Sequence, residues 1–191
     1  MSDRTMTAAD FEPRYAENLD PWDYHGSRYE QDKYRATLEA CGPGPIARVL
    51  ELGGSIGVFT AMLAPRCRSL VTVDAAPTAV HAARQEVAAY PHVDVREGVL
   101  PGDLPPGTFD LVVASEILYY LSPDDLGRTL DALRLRLAPG GALVAVHWRP
   151  RTAERQLDAA DVHGALGAAS WLERTLDAST PDYLLEGFTC R

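Results

Sequence analysis

Arg48-Val49-Leu50-Glu51-Leu52-Gly53-Gly54-Ser55-Ile56-Gly57-Val58-Phe59-Thr60 is the stretch whose reading decides the fold. An apolar strand ends in an acid, bends on glycines and passes directly into a helical pattern. Backbone without side chains lets a ligand approach closely at such a bend. The first helical turn adds free N–H groups and the positive end of its dipole. Further on, Val71-Thr72-Val73-Asp74 supplies a second strand that ends in a carboxylate. An acid in that place can hydrogen-bond both hydroxyls of a ribose. The pair reads as a nucleoside site.

Glycine spacing separates two nucleoside readings. A dinucleotide fingerprint needs G-x-G-x-x-G, and counting back from Gly57 through Gly54 its first glycine falls on Leu52. The pattern acid-x-G-x-G-x-G, that of S-adenosylmethionine (SAM) dependent methyltransferases, finds Glu51, Gly53 and Gly57, with Ser55 in the middle place. Glu51 has a purpose there, since the α-ammonium of SAM needs an anionic partner, whereas a diphosphate would be repelled. The cofactor-binding set expected around this bend is Glu51, Gly53, Gly54, Ser55, Gly57, Asp74 and its neighbour Ala75. The plain alternative is an ordinary strand-to-helix turn with incidental glycines, and the second acid weakens it.

The 191 residues fit one domain, and 46% hydrophobic with 24% charged residues is the composition of a globular protein. No apolar run is long enough to span a bilayer, and the polar start is unlike a signal peptide. Cys41, Cys67 and Cys190 are isolated and odd in number. They suit a reducing cytoplasm and argue against a disulfide framework or a metal site. A net charge of −9 without a Lys/Arg cluster argues against duplex DNA or RNA as a partner. The expected partner is a small-molecule or saccharide acceptor, with no membrane; oligomeric state is left open.

Residues 1 to 20 or so carry no pattern and are expected to fray. Ser27-Arg28-Tyr29-Glu30 has the spacing of a capping box and opens a helix that runs to Ala40. Strands are expected at 49–52, 70–74, 92–96, 109–115 and 142–147, with helices at 57–63 and 77–89 between the first three. Residues 100–107, rich in Pro and Gly, read as loop. Ser122 caps a helix whose stripe is Leu126, Leu130, Leu133 and Leu137, ended by Pro139-Gly140-Gly141. A helix at 154–166 and two strands at 171–176 and 183–189, arranged as a hairpin, complete the chain. Such alternation implies an α/β doubly wound, mostly parallel seven-stranded sheet, Rossmann-like, that closes on an antiparallel β-hairpin. Residues 1–45 form an N-terminal lid and 46–191 the SAM-binding core of a single domain.

Asp20-Pro21-Trp22, Ser27-Arg28-Tyr29-Glu30, Lys33-Tyr34 and the segment from Phe109 through Ser115-Glu116-Ile117-Leu118-Tyr119-Tyr120-Leu121 resemble the nodulation-factor N-methyltransferase (NodS-like) family, as does the glycine turn. The resemblance implies the class I methyltransferase fold. It also implies methyl transfer from SAM to an amine, in the name-giving members the free amine of a deacetylated chitooligosaccharide. Two places depart from the pattern. Val99 stands where relatives put an acid for the adenine amino group, which leaves that edge to backbone groups or to Glu97. Val146-His147-Trp148-Arg149, in acceptor territory, differs from the nodulation enzymes.

Methyl transfer needs an aligned, neutral acceptor in a dry site, since sulfonium charge disappears in the transition state. Trp22, Tyr24, Tyr29 and Tyr34 are dense enough to fold over SAM, with Arg28 or Lys33 available to the methionine carboxylate; the alternative is that these rings simply pack. Ser115 and Glu116 lie at the ligand-binding edge of the fourth strand. Glu116 is the residue expected to bind the amine or take its proton, or else it is an acid favourable to a short turn. Tyr120 or Tyr119 reaches the acceptor. His147 is the candidate general base by residue type, with His163 behind it, against the commoner structural role of a lone histidine. The catalytic set is therefore Glu116, His147 and Tyr120, with no metal. Rival readings are O-methylation on the same fold, an NAD-dependent oxidoreductase, and a SAM-binding protein without catalysis.

Overall fold

The computed structural model of the chain describes residues 4–152 and 155–191. In chain order the elements are α1 (Ala8–Glu17), α2 (Arg28–Ala40), β1 (Ile46–Leu52), α3 (Val58–Leu63), β2 (Cys67–Asp74), α4 (Pro77–Glu86), β3 (Val93–Glu97), β4 (Phe109–Ser115), α5 (Pro123–Arg134), β5 (Leu137–Trp148), α6 (Ala159–Ala168), β6 (Leu172–Asp177) and β7 (Tyr183–Cys190). Among the described residues seven strands form one sheet in the order β3-β2-β1-β4-β5-β7-β6. Its first five strands are parallel; β7 lies antiparallel between β5 and β6. This is the sheet that the alternation and the closing hairpin predict. Strand order reverses between β1 and β4, so a crevice opens beyond the carboxyl ends of these two strands.

Both faces of the central strands are covered. Leu50, Leu52, Val112 and Ala114 face a core shared with α5 and α6, while Val49, Leu111, Val113 and Val146 face α2 and α3. Covering on both sides is why these strands read as nearly continuous apolar runs. Free thiols at Cys41, Cys67 and Cys190 are buried in the packing. No helix among the described residues is long and apolar enough to cross a membrane.

The N-terminus corrects the expectation of a frayed tail. Thr7 and Asp10 form a capping box for α1, and the helix buries Tyr15. Glu12 then reaches the start of α4, where its carboxylate accepts from the Thr78 N–H at 2.9 Å and the Thr78 hydroxyl at 2.7 Å. Ala76, the residue before α4, has no side chain able to cap it. Glu12, 66 residues before Thr78, does that work, favourably for the helix dipole. Met6 N–H also donates to Tyr120 O at 2.9 Å, tying the N-terminus to the loop after β4.

Three further differences have local causes. At α2 only half a capping box forms: Ser27 accepts from Glu30 N–H, while the Glu30 carboxylate turns to Lys33. Helix α5 ends at Arg134, and Leu137 belongs to β5, paired with Phe109. The Pro139-Gly140-Gly141 run lies inside β5, where register shifts against β4 between Phe109 and Leu111. Helix α6 starts at Ala159 on an Asp158–Asp161 capping box, so 155–158 are not helical; the expected start at Glu154 lies outside the described residues.

Gly57 holds the junction of turn and helix. Its φ is +88°, and a Cβ there would meet the Ala83 Cα at 2.9 Å, so α3 can approach α4 only because the side chain is missing. Gly57→Ala combines a left-handed L-residue with backbone overlap and should lower stability by about 2–4 kcal/mol. Urea unfolding measures this, and a loss within about 0.5 kcal/mol, ordinary for a surface change, contradicts the packing described.

Candidate functional site

The crevice at the strand-order reversal is a cavity of about 270 Å³. Its floor is the glycine turn. Gly53 has φ +74°, and its missing side chain keeps clear of Ile117; a Cβ on Gly54 would lie 2.0 Å from the Thr72 hydroxyl. Ser55, in the place where the motif prefers glycine, does adopt a left-handed φ of 47°. Its strain is held by two hydrogen bonds: its N–H donates to Asp74 Oδ2 at 2.8 Å, and its hydroxyl meets the Tyr15 hydroxyl at 2.7 Å. Gly57, expected in the binding set, is not among the lining residues and packs on α4 instead.

Glu51 and Asp74 sit at the tips of the neighbouring strands β1 and β2, and both line the cavity. Glu51 is almost fully buried, and its Oε2 accepts from the Thr60 hydroxyl at 2.7 Å. Burial disfavours its charge and pushes its pKa up to about 7. Asp74 Oδ1 accepts the Ala76 N–H at 3.0 Å, so each oxygen of this carboxylate holds one backbone group and keeps acceptor capacity on the cavity side. Its pKa is raised too, by burial. At the far end Ala75 and Val99 line the wall, whereas Glu97 is exposed on β3 and absent from the lining. The Val99 N–H is engaged by Asp103 Oδ2 at 2.9 Å.

The roof comes from the N-terminal segment. Tyr15, Trp22, Tyr24, Tyr34 and Phe59 contact one another in sequence, with ring centroids 5.3–5.7 Å apart, and all five line the cavity. Trp22, Tyr24 and Tyr34 thus both pack on one another and line the cavity. Tyr15 and Phe11 are additions; their spacing of four residues within α1 is the signal that could have found them. Arg28 is not part of the roof: its side chain is 96% exposed. Lys33, only 3% exposed, supplies a buried cation, at 2.9 Å from both Glu30 Oε2 and Glu116 Oε1. The two carboxylates outweigh the desolvation of its ammonium and raise its pKa, so Lys33 is a held charge and a poor base.

Ser115 and Glu116 open the rim after β4, and Glu116 takes a left-handed φ of 55°. Besides Lys33, its carboxylate accepts the Tyr119 hydroxyl and, at 3.2 Å, the Trp148 N–H. Tyr120 lines the same rim, edge-on to Phe11.

His147 does not reach the cavity. It is fully buried, and Nε2 accepts the Leu118 N–H at 3.3 Å, which places its proton on Nδ1, 3.1 Å from His163 Nε2. His163 Nδ1 in turn donates to Glu186 Oε2 at 2.7 Å. This chain fixes both tautomers and leaves both rings neutral, and burial lowers both pKa values. His147 and His163 are structural, a correction to the expected general base. Among the described residues no cluster could hold a metal ion.

His147→Phe leaves the Leu118 N–H and His163 Nε2 without partners and should reduce stability at pH 7.5 by about 1–3 kcal/mol. Because the folded rings bind protons less readily than the unfolded ones, their contribution is present above about pH 6.5 and is lost as pH falls. Denaturation from pH 7.5 to 5.5 should show a shallower acid decline in the variant. Equal slopes contradict the neutral pair.

A model of the family described as Nodulation protein S (NodS) matches residues 8–160. Nodulation protein S of Rhizobium tropici is 34% identical over 127 residues, covering 65% of this chain and 53% of that protein. That of Sinorhizobium fredii is 35% identical over 132 residues, covering 65% and 59%. The chain thus spans a little over half the length of these curated relatives. In three dimensions the chain is similar to the N-methyltransferase NodS from Bradyrhizobium japonicum WM9, solved in complex with S-adenosylhomocysteine, at a TM-score of 0.86 and 27% identity over 96% of this chain and 97% of that one.

Proposed function

The chain belongs to the Nodulation protein S (NodS) family, and on that footing we propose that it is a SAM-dependent methyltransferase acting on the amine of an amino sugar or another small molecule. One observation carries the reading. Two strand-tip carboxylates flank a glycine turn on one side of a cavity whose other side is an aromatic roof. The residues present fit an adenosyl amino acid: the turn at 53–55 gives close backbone approach, Asp74 has oxygens for the ribose hydroxyls, and Glu51 suits the α-ammonium. SAM, when bound, supplies a methyl group on a sulfonium. The aromatic roof excludes water, and its ring faces favour that cation. Residues 1–45, through α1 and α2, act as the lid.

In the transfer an amine nitrogen gives its lone pair to form the N–CH₃ bond as the S–CH₃ bond breaks, and the nitrogen's surplus proton is released to water. Here the chain's own work is positioning. Glu116, fixed by Lys33, Tyr119 and the Trp148 N–H, presents a carboxylate at the rim that orients the amine. With His147 buried and Lys33 ion-paired, the amine must arrive neutral, so turnover should rise with pH toward the amine's own pKa. Methyl transfer from labelled SAM to amino sugars and small amines tests the activity. Product N-methylamine supports the reading; label found only on hydroxyl groups overturns it.

Glu51 gives a separate handle. Its pKa of about 7 without ligand means half its charge is missing near neutrality. An α-ammonium beside it favours the ionised form, so S-adenosylhomocysteine should bind about ten-fold more tightly at pH 8 than at pH 6. Glu51→Gln should weaken binding and abolish this dependence. A wild-type affinity flat across that range contradicts the assignment.

A further inference from the structure

Arg155 lines the same cavity, beside Trp148, and is 8% exposed. Its surroundings do not balance its charge. Nη1 donates to Trp148 O and Pro150 O, both at 3.0 Å, and Nε has no hydrogen-bond acceptor. Among the described residues no carboxylate lies within ion-pair distance of it. Its guanidinium carbon stands 3.9 Å from the centroid of the Tyr119 ring and 5.0 Å from that of Trp148. Two carbonyls, two aromatic faces and the Tyr120 hydroxyl orient this cation without neutralising it, and a buried charge left so is costly unless something else pairs with it.

The same two aromatic residues connect Arg155 to the opposite charge. Tyr119 sends its hydroxyl, and Trp148 its backbone N–H, to Glu116. Around Lys33 the carboxylates of Glu30 and Glu116 outnumber the ammonium by one. The acceptor end of the cavity is therefore dipolar, with a surplus carboxylate on one side of Tyr119 and Trp148 and, on the other, a guanidinium that no carboxylate among the described residues pairs. A neutral amino sugar or a simple amine satisfies only the first side.

We propose that the acceptor carries an oxyanion, a carboxylate or a phosphoryl group, in addition to its amine, and that Arg155 binds it. The planar guanidinium fork suits such a group, and a charge-assisted contact in a cavity shielded from water is strong enough to select for it. This deepens the methyl-transfer reading at the amine, while the oxyanion contact itself does not depend on turnover.

The test is calorimetry on protein saturated with S-adenosylhomocysteine. Ethanolamine is compared with β-alanine and O-phosphoethanolamine, and glucosamine with glucosamine 6-phosphate. At least one oxyanion-bearing amine should bind about ten-fold or more tightly than its neutral counterpart. Arg155→Met should erase that preference without changing affinity for S-adenosylhomocysteine, and Arg155→Lys should restore part of it. Should the Met variant fail to fold, the Lys variant and the wild-type pairs decide the matter. Equal binding of neutral and anionic amines, no binding of any of them, or a preference that persists in Arg155→Met overturns the proposal. An anionic amine that binds but takes no methyl from SAM leaves Arg155's role standing and sinks the methyl-transfer reading instead.

Discussion

One hydrogen bond, from the Ser55 N–H to the Asp74 carboxylate, joins the tips of β1 and β2 across the glycine turn, and the site is arranged around it. Parallel neighbours leave their carboxyl ends side by side, so an acid ending one strand naturally meets the bend that follows the other. The bend must turn sharply beneath a ligand, which is why Gly53 and Ser55 both take left-handed backbone. Serine tolerates this conformation because its N–H is held by Asp74 and its hydroxyl by Tyr15. The same contact brings α1 down on the turn. The glycine turn and helix α1 are thereby parts of one hydrogen-bonded unit.

Electrostatics then divides the cavity. At the floor, burial raises the pKa values of Glu51 and Asp74. At the rim, charges are present but partly spoken for: Lys33 between two acids, Glu116 among three donors, Arg155 against carbonyls and rings. The histidine pair, which by residue type is the obvious base, is walled off behind Tyr119. On the proposed reading, chemistry at this rim rests on orientation and enclosure.

Much of this architecture was legible in the chain. Beyond the acid-ended strands and the glycine bend, the boundaries of β4 and the start of α5 followed from a continuous apolar run and from Ser122-Pro123. What stayed hidden has physical reasons. Helix α1 has a local capping box in Thr7 and Asp10, but Pro13 inside it obscures the pattern, and its contacts with Thr78 and Ser55 are too distant for local composition to encode. Leu137 was misplaced because leucine spacing cannot show that the chain turns at Arg134 and resumes as a strand. The role of His147 could not be read from its place at a strand's end, since period-two alternation shows that a side chain leaves one face without showing whether a helix covers that face. Here α6 does, through His163. Arg155 carried no motif at all; only its burial, with no carboxylate in ion-pair distance among the described residues, makes it visible.

The central claim is that Asp74 and the turn it braces hold an adenosyl amino acid. Calorimetric titration of wild-type protein and Asp74→Asn with S-adenosylhomocysteine, with NAD as a control ligand, tests it most directly. The account predicts saturable binding to the wild type, an affinity about ten- to one-hundred-fold weaker in Asp74→Asn, and no competition by NAD. Equal affinity in both proteins, or displacement by NAD, contradicts it.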